Sequence, residues 1–309
     1  MRVTTNTMFN RISTGMGNHF NAIAHQMDHS QYRVKQASDD PIAQGRIITL
    51  KQNISDLEGF QTSSDVLKTK LGEIEGNLNA FNDGFKEADN ILNKVSSGTM
   101  NAQDIQQMGK QLGTLADDLA SVLNSQNLNG DFVFSGTAVD QAPFKKEKVM
   151  VDIDGVPTEL EVYKYQGNND SQTSKVGNTL SLSSTFDGSR VVTGEDGADF
   201  FETLAVAQHY FEKGKGLPTD VQTKVEKDMG SLLQSTIQVQ SEIGIYYKQA
   251  ERNSDVYANM ISEYKTLLSE TQDADYVQVV TEIQKHEQIM KSLASTSKVM
   301  LDMAALRIR

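Results

Sequence analysis

The chain has 309 residues, enough for a sizeable core and, by length alone, for about two domains. It contains no Cys, no Trp and only four Pro, and its formal net charge is -12. Without cysteine there are no disulfides or thiolate metal sites, and the acidic balance argues against nucleic acid or an anionic membrane surface as a partner, since both demand clustered Lys and Arg.

The opening residues, MRVTTNTMFNRIST, show no apolar h-region with a small-residue cleavage site, so no conventional secretory signal is expected. No apolar run approaches the roughly 18 residues of a membrane-spanning helix, and membrane insertion is not expected. From Met8 a stripe runs through Ile12, Met16, Phe20, Ile23 and Met27 to Val34, mostly in steps of four. This is one face of an amphipathic helix. It has no second helix beside it in sequence, so it is marginal alone and orders against a partner from elsewhere.

A hinge follows at Asp39, Asp40 and Pro41. Asp40 is suited to cap a helix whose first residue is Pro41, because proline needs no amide there and forces the residue before it out of the α region. The new helix carries Ile47, Leu50, Ile54 and Leu57, passes the polar positions Gln61 and Ser64, and resumes at Leu67, Leu71, Ile74, Leu78, Phe81, Phe85, Ala88, Leu92 and Val95. Alternating steps of three and four predict a coiled-coil seam. Ser96, Ser97 and Gly98 end it, Asn101 or Asp104 can cap a second run, and Ile105, Met108, Leu112, Leu115, Leu119 and Val122 keep the same spacing. The two runs predict an antiparallel helical hairpin.

At Asn124 the period changes. Asn129-Gly130 has turn chemistry, and a short aromatic strand is expected over 132–134, ending at Ser135-Gly136. Val149, Val151 and Ile153 fall on alternate positions, with charged Lys148 and Asp152 among the residues between, up to Asp154-Gly155, and Leu160 and Val162 lie on the return strand, which predicts a hairpin with Pro157 at an edge. Further strands are expected over 179–184 and 190–193. Helical spacing returns after Asp199, a candidate cap for Phe200, Phe201, Leu204, Ala207 and Phe211, and ends at Gly214 and Gly216. Pro218 opens a long run through Val225, Leu232, Val239, Ile243, Ala250, Tyr257 and Leu267. From Asp275 a second terminal stripe, Val279, Ile283, Met290, Leu293, Met300 and Ala304, supplies the partner that the N-terminal stripe lacks.

The expected fold is mainly α with a β insert. A long antiparallel coiled-coil rod is formed discontinuously by both chain halves (41–134 with 199–271), the terminal helices pair (1–40 with 272–309), and a small all-β outer domain covers 135–198.

Catalytic and metal readings give way to simpler ones. His25 and His29 stand at i, i+4, a spacing able to hold a metal, yet no third ligand follows in pattern, and a solvated face accounts for them. Asp39 and Asp40 are adjacent and diverge, which suits capping better than acid-base work. Asp152, Asp154 and Gly155 lack the glycine and glutamate spacing of a calcium loop, and Gly214-Lys215-Gly216 lacks the rest of a phosphate loop. No enzyme activity and no cofactor are expected.

Ala37, Asp39, Asp40 and Pro41, followed by Leu50, Ile54 and Leu57, resemble the amino-terminal signature of bacterial flagellins and their junction relatives. DADYVQVVTEI near the other end is similar to the start of that family's carboxyl-terminal arm, and GDFVFSG with Ala142, Pro143 and Phe144 resembles the hook-associated junction proteins more than the filament flagellins. The resemblance implies a structural subunit of the bacterial flagellum, lying outside the cell in a ring between hook and filament. Its implied partners are further copies of itself, a neighbouring hook-associated protein, flagellin, an export chaperone and the flagellar type III exporter. The arm residues Met8 to Met27 and Val279 to Ala304 form the implied assembly interface. A filament flagellin and an unrelated coiled-coil surface protein with a ligand-binding insert are the other readings.

Overall fold

The computed structural model describes residues 2–127 and 129–306, with side chains over 7, 8, 10–127 and 129–299. Its elements are α1 (Arg2–Asp28), α2 (Pro41–Ser96), α3 (Ala102–Leu123), β1 (Phe144–Ile153), β2 (Val156–Tyr165), β3 (Thr173–Lys175), β4 (Ser181–Ser183), α4 (Ser189–Val192), α5 (Phe200–Glu212), α6 (Thr219–Gln272) and α7 (Tyr276–Leu306). The chain divides into two units, Met1–Glu58 with Ala258–Arg309, and Gly59–Tyr257.

In the second unit α2 and α6 run antiparallel side by side. Ser254 Oγ donates to Asp65 Oδ1 (2.8 Å), Asn82 Nδ2 to Gln240 Oε1 (3.0 Å), and Gln240 Nε2 in turn to Asn79 Oδ1 (2.7 Å). The seam residues Leu67, Leu71, Ile74, Leu78, Phe81, Phe85, Ala88, Leu92 and Val95 are all buried, as are Leu232, Val239, Ile243 and Ala250 opposite. Ser64 is buried too. Its hydroxyl bonds the Phe60 carbonyl one turn back (2.9 Å), so a polar residue sits in the seam with its donor satisfied.

Asn101 caps α3, its side chain accepting from the Gln103 and Asp104 amides. Helix α3 then folds back on α2, where Asn77 Nδ2 donates to Ser125 Oγ (2.6 Å). It crosses α5 at Gly109, where a Cβ would lie 2.9 Å from Phe211 Cβ and 3.1 Å from the Glu212 nitrogen. Only glycine permits that approach.

Helix α5 starts where the Asp199 carboxylate accepts from the Glu202 amide (3.0 Å). That cap delivers two aromatics into the core. Phe200 packs against Phe81 and Phe85 with ring centroids 5.2 and 5.3 Å away, while Phe201 meets Phe144 of β1 and Tyr163 of β2 at 5.8 and 5.3 Å. The hairpin is thus fastened to the helical core through its root.

Strands β1 and β2 pair antiparallel from Phe144↔Tyr165 to Ile153↔Val156. Asp154 and Gly155 both take positive φ (56° and 77°), as a two-residue hairpin turn requires. The Asp154 carboxylate also accepts from the Tyr210 hydroxyl (2.8 Å), and burial pushes that phenol up to about 12. Pro157 pairs with Asp152 in this two-stranded sheet. Strands β3 and β4 form a second small sheet.

Two expectations in this region are corrected. Residues 132–134 are not a strand; Phe132 and Ser135 make only isolated bridges, to Gln126 and Asp187, because Gly130 and Gly136 turn the backbone through positive φ on either side. Residues 190–193 also fail to form a strand, since Ser189–Val192 make the single helical turn α4. There the Asp187 carboxylate accepts from both the amide and the hydroxyl of Ser189 (2.7 Å each), which starts a turn, and the Val191 carbonyl accepts from Thr236 on α6 (3.1 Å). The insert is two small sheets with a helical turn and not all-β.

In the first unit the start of α2 and the end of α6 again lie side by side, with Ile47, Leu50, Ile54, Leu57 and Ile261 buried and Lys265 Nζ bonded to Glu58 (2.8 Å). Helix α1 packs on α7.

Candidate functional site

The terminal helices and the segment between α1 and α2 form the site. Helix α1 stops at Asp28, and the chain then runs beside the end of α6. The Arg33 amide donates to the Gln272 carbonyl (2.8 Å) and the Ala274 amide to the Gln31 carbonyl (3.3 Å), with Tyr32 bridging Asp273. This crossing sets the end of α1 next to the start of α7.

Asp39 and Asp40 do separate work. The Asp39 carboxylate accepts from the Lys35 and Gln36 amides (2.9 and 3.1 Å), which hold it below the ordinary carboxylate range and close the loop. Asp40 Oδ1 accepts from the Ile42 and Ala43 amides (3.0 and 2.9 Å), and Pro41 is the first residue of α2. Asp275 serves α7 in the same way through Val277 and Gln278. Lys35 reaches back to Asp28 (2.8 Å) and holds that carboxyl below its usual range. Replacing Asp40 with Ala should therefore reduce stability by about 1 kcal/mol, and with Asn by much less. Urea unfolding followed by circular dichroism checks this, and an unchanged midpoint in Asp40→Ala would remove the residue from its capping role.

Helices α1 and α7 run antiparallel, His19 opposite His286 (Nδ1 to Nδ1, 2.8 Å) and Gly15 opposite Leu293. Of the stripe residues, Ile12, Met16, Ile23, Ile283, Met290 and Leu293 are half-buried and Val279 is buried. Met8, Phe20 and Met27 remain 53%, 63% and 63% exposed. The side chains of Met300 and Ala304 lie outside the described residues. Two helices alone cannot cover stripes this wide. The pair therefore presents apolar surface to whatever lies beside it.

Other apolar residues of this unit are exposed outside the stripes. Tyr276 and Val277 in the first turn of α7, Val299 near its end, and Ile42 in the first turn of α2 all stand largely in solvent. Sequence periodicity passes over them because they fall off the seam, and Ile42, Tyr276 and Val277 stand at helix starts where no repeat has yet been established.

The His25 and His29 rings stack at 4.4 Å and line a cleft of about 450 Å³ with Arg33, Asp39 and Glu282. Among the described residues no group of three or more His, Cys, Asp or Glu side chains converges as a metal site, and no helix is long and apolar enough to cross a membrane.

No family model matches the chain. In sequence it is similar to flagellar hook-associated protein 3 of Escherichia coli (strain K12), 26% identical over 151 residues, a match covering 48% of this chain and 47% of the relative. The chain thus spans about half the length of this curated relative. In fold it is similar to a Vibrio parahaemolyticus protein assigned as flagellar hook-associated (TM-score 0.64, 20% identity, 76% of this chain and 100% of the other). It is similar also to the flagellar junction protein FlgL of Legionella pneumophila (TM-score 0.55, 15% identity, 75% and 100%). In sequence and in fold the chain resembles hook-associated proteins of the FlgL type.

Proposed function

We propose that the chain is a structural, hook-associated protein of the bacterial flagellum that assembles as a ring between a hook-proximal junction protein and the flagellin filament. Its partners on this reading are further copies of itself, those two neighbours, an export chaperone and the type III exporter, and its working place is outside the cell. The observation that carries the reading is the terminal pair α1 and α7, which leaves Phe20 and Met27 in solvent although both belong to an apolar stripe. In a ring, neighbouring copies would cover them. The similarity to hook-associated protein 3 supports the same conclusion. We further read three working parts: 1–40 with 272–309 as the arm that assembles, 41–134 with 199–271 as a coiled-coil rod, and 135–198 as an outward module. Asp39, Asp40 and Pro41 form the joint between arm and rod.

Deleting the gene and imaging the cells by electron microscopy, with flagellin assayed in the medium, tests this. The expected result is complete hooks without filaments and flagellin lost to the medium. Bare hooks with no flagellin released would instead make the chain the filament subunit. Normal filaments would overturn both readings in favour of a coiled-coil surface protein unrelated to flagella.

A further inference from the structure

In the second unit the insert and α6 enclose a polar groove. A cleft of about 530 Å³ lies between residues 169–171 and 183–193 of the insert and Glu242 of α6, and a smaller one of about 210 Å³ continues along α6 past Gln238 and Ser235. Arg190 and Thr193 line both, so the two are contiguous. The walls are fixed from behind. Thr236 Oγ1 donates to the Val191 carbonyl (3.1 Å), and the Gln172 amide donates to Thr185 Oγ1 (2.8 Å). Ser235 is the anomaly in the smaller cleft. It is only 7% exposed, yet among the described residues its hydroxyl has no hydrogen-bond partner, whereas the neighbouring Thr236 also reaches the Leu232 carbonyl one turn back (2.9 Å). Buried hydroxyls are as a rule bonded, and the space Ser235 lines is the cleft.

We propose that this groove binds a short uncharged saccharide, with Arg190 and Glu242 bracketing one pair of ring hydroxyls and Ser235 bonding another in the smaller cleft. Arg190 Nη2 donates to Glu242 Oε2 (2.7 Å), and the two side chains keep 45% and 32% of their surface exposed. The pair therefore offers a fixed donor beside a fixed acceptor. Neighbouring sugar hydroxyls, each able to donate and to accept, match that arrangement, and the unpaired hydroxyl of Ser235 has the same double capacity.

Charge decides against the other guests. An anion entering the groove meets the carboxylates of Asp170, Glu195 and Glu242, and a cation meets the Arg190 guanidinium where the two clefts join. Asp187 adds no free acceptor, since its two oxygens take the amide and the hydroxyl of Ser189 (2.7 Å each). An uncharged ligand rich in hydroxyls uses donors and acceptors alike. The larger cleft falls within the about 300–1,000 Å³ of small-molecule sites. The inference concerns the insert and α6 and stands apart from the assembly reading.

Saturation-transfer NMR on the full chain, with cellotriose, maltotriose and chitotriose titrated in turn, tests the groove. Transfer to at least one of the three is expected, and its affinity should fall about tenfold in Ser235→Ala, the worth of one hydrogen bond between uncharged groups. Arg190→Gln should weaken it as well, while keeping a polar side chain in place. Stability separates a binding role from a structural one. Ser235→Ala removes a buried hydroxyl that has no partner in the folded chain, so its urea midpoint should be unchanged or higher while binding falls. A lower midpoint would make the hydroxyl a structural group and overturn its role as a ligand contact. Absence of transfer to all three trisaccharides overturns the proposal. So does binding that neither substitution alters, or displacement of the sugar by trilysine or inorganic phosphate, which would make the groove a site for charge.

Discussion

Phe200→Ala should lower the unfolding free energy of the second unit by about 3–5 kcal/mol, the range for truncating a fully buried phenylalanine. The ring is 0% exposed and sits between Phe81, Phe85 and Phe201 with centroids 5.2 to 5.4 Å away. Its loss removes transfer energy and several aromatic contacts worth about 0.5–1.5 kcal/mol each, and leaves a cavity at the point where α5 meets α2. Those walls belong to a long helix with buried neighbours above and below, so they cannot collapse far. Circular dichroism in urea is the suitable measurement, since the chain has no Trp to report. A loss under about 1 kcal/mol would mean that the aromatic cluster is not the anchor of α5, and exposed Val256→Ala serves as the control, with an expected change within about 0.5 kcal/mol.

The opposite pattern is expected of the double substitution Phe20→Gln with Met27→Gln. These residues stand a heptad apart on one line of α1 and are each 63% exposed, so the folded chain loses little, and glutamine is a sound helix former. Urea midpoints should stay within about 0.5 kcal/mol of the parent. Assembly should fail. On the proposed ring assembly each side chain covered by a neighbour would contribute about 1.5–3 kcal/mol, and the loss would recur at every copy. Cells carrying only the variant should show hooks without filaments and flagellin in the medium, with swimming reduced to background. Normal filaments and swimming would show that these two residues are not part of an interface, whatever the role of the protein.

Much of this architecture can be read from the chain, and the parts that cannot have physical reasons. The thirteen seam residues from Ile47 to Val95 are buried because a sustained three-four alternation has few other ways to hide its apolar atoms. Asp40, Asn101 and Asp199 accept from the amides that follow them because short polar side chains before helical runs have few better partners. Between 124 and 198 local pattern loses its force. Val191 and Val192 have strand propensity, yet Asp187 and Ser189 build a turn there and Thr236, 45 residues away, binds the carbonyl that a strand would have offered elsewhere. Ser64 reads as an interruption and is part of the core, since a hydroxyl can return to its own helix. The stripes of α1 and α7 are legible as apolar faces, but periodicity alone does not say how much of each face the partner helix will leave uncovered.

The chain of amides Asn79, Gln240 and Asn82 bears on a degeneracy inherent in long helices of repeating pattern. Seams built from Leu, Ile and Val at constant spacing match one another almost equally well after a slip of one heptad. In the register observed, Gln240 donates to Asn79 and accepts from Asn82. Slipped by seven residues in either direction, both asparagines would lose this partner, and the half-buried amides of Asn82 and Gln240 would be left unpaired at about 1–3 kcal/mol each, while exposed Asn79 would turn to water. Three modest polar side chains thus distinguish one alignment from its near-equivalents, and a chain that leaves the helical pair at Ser96 and returns at Thr219 closes on a single match.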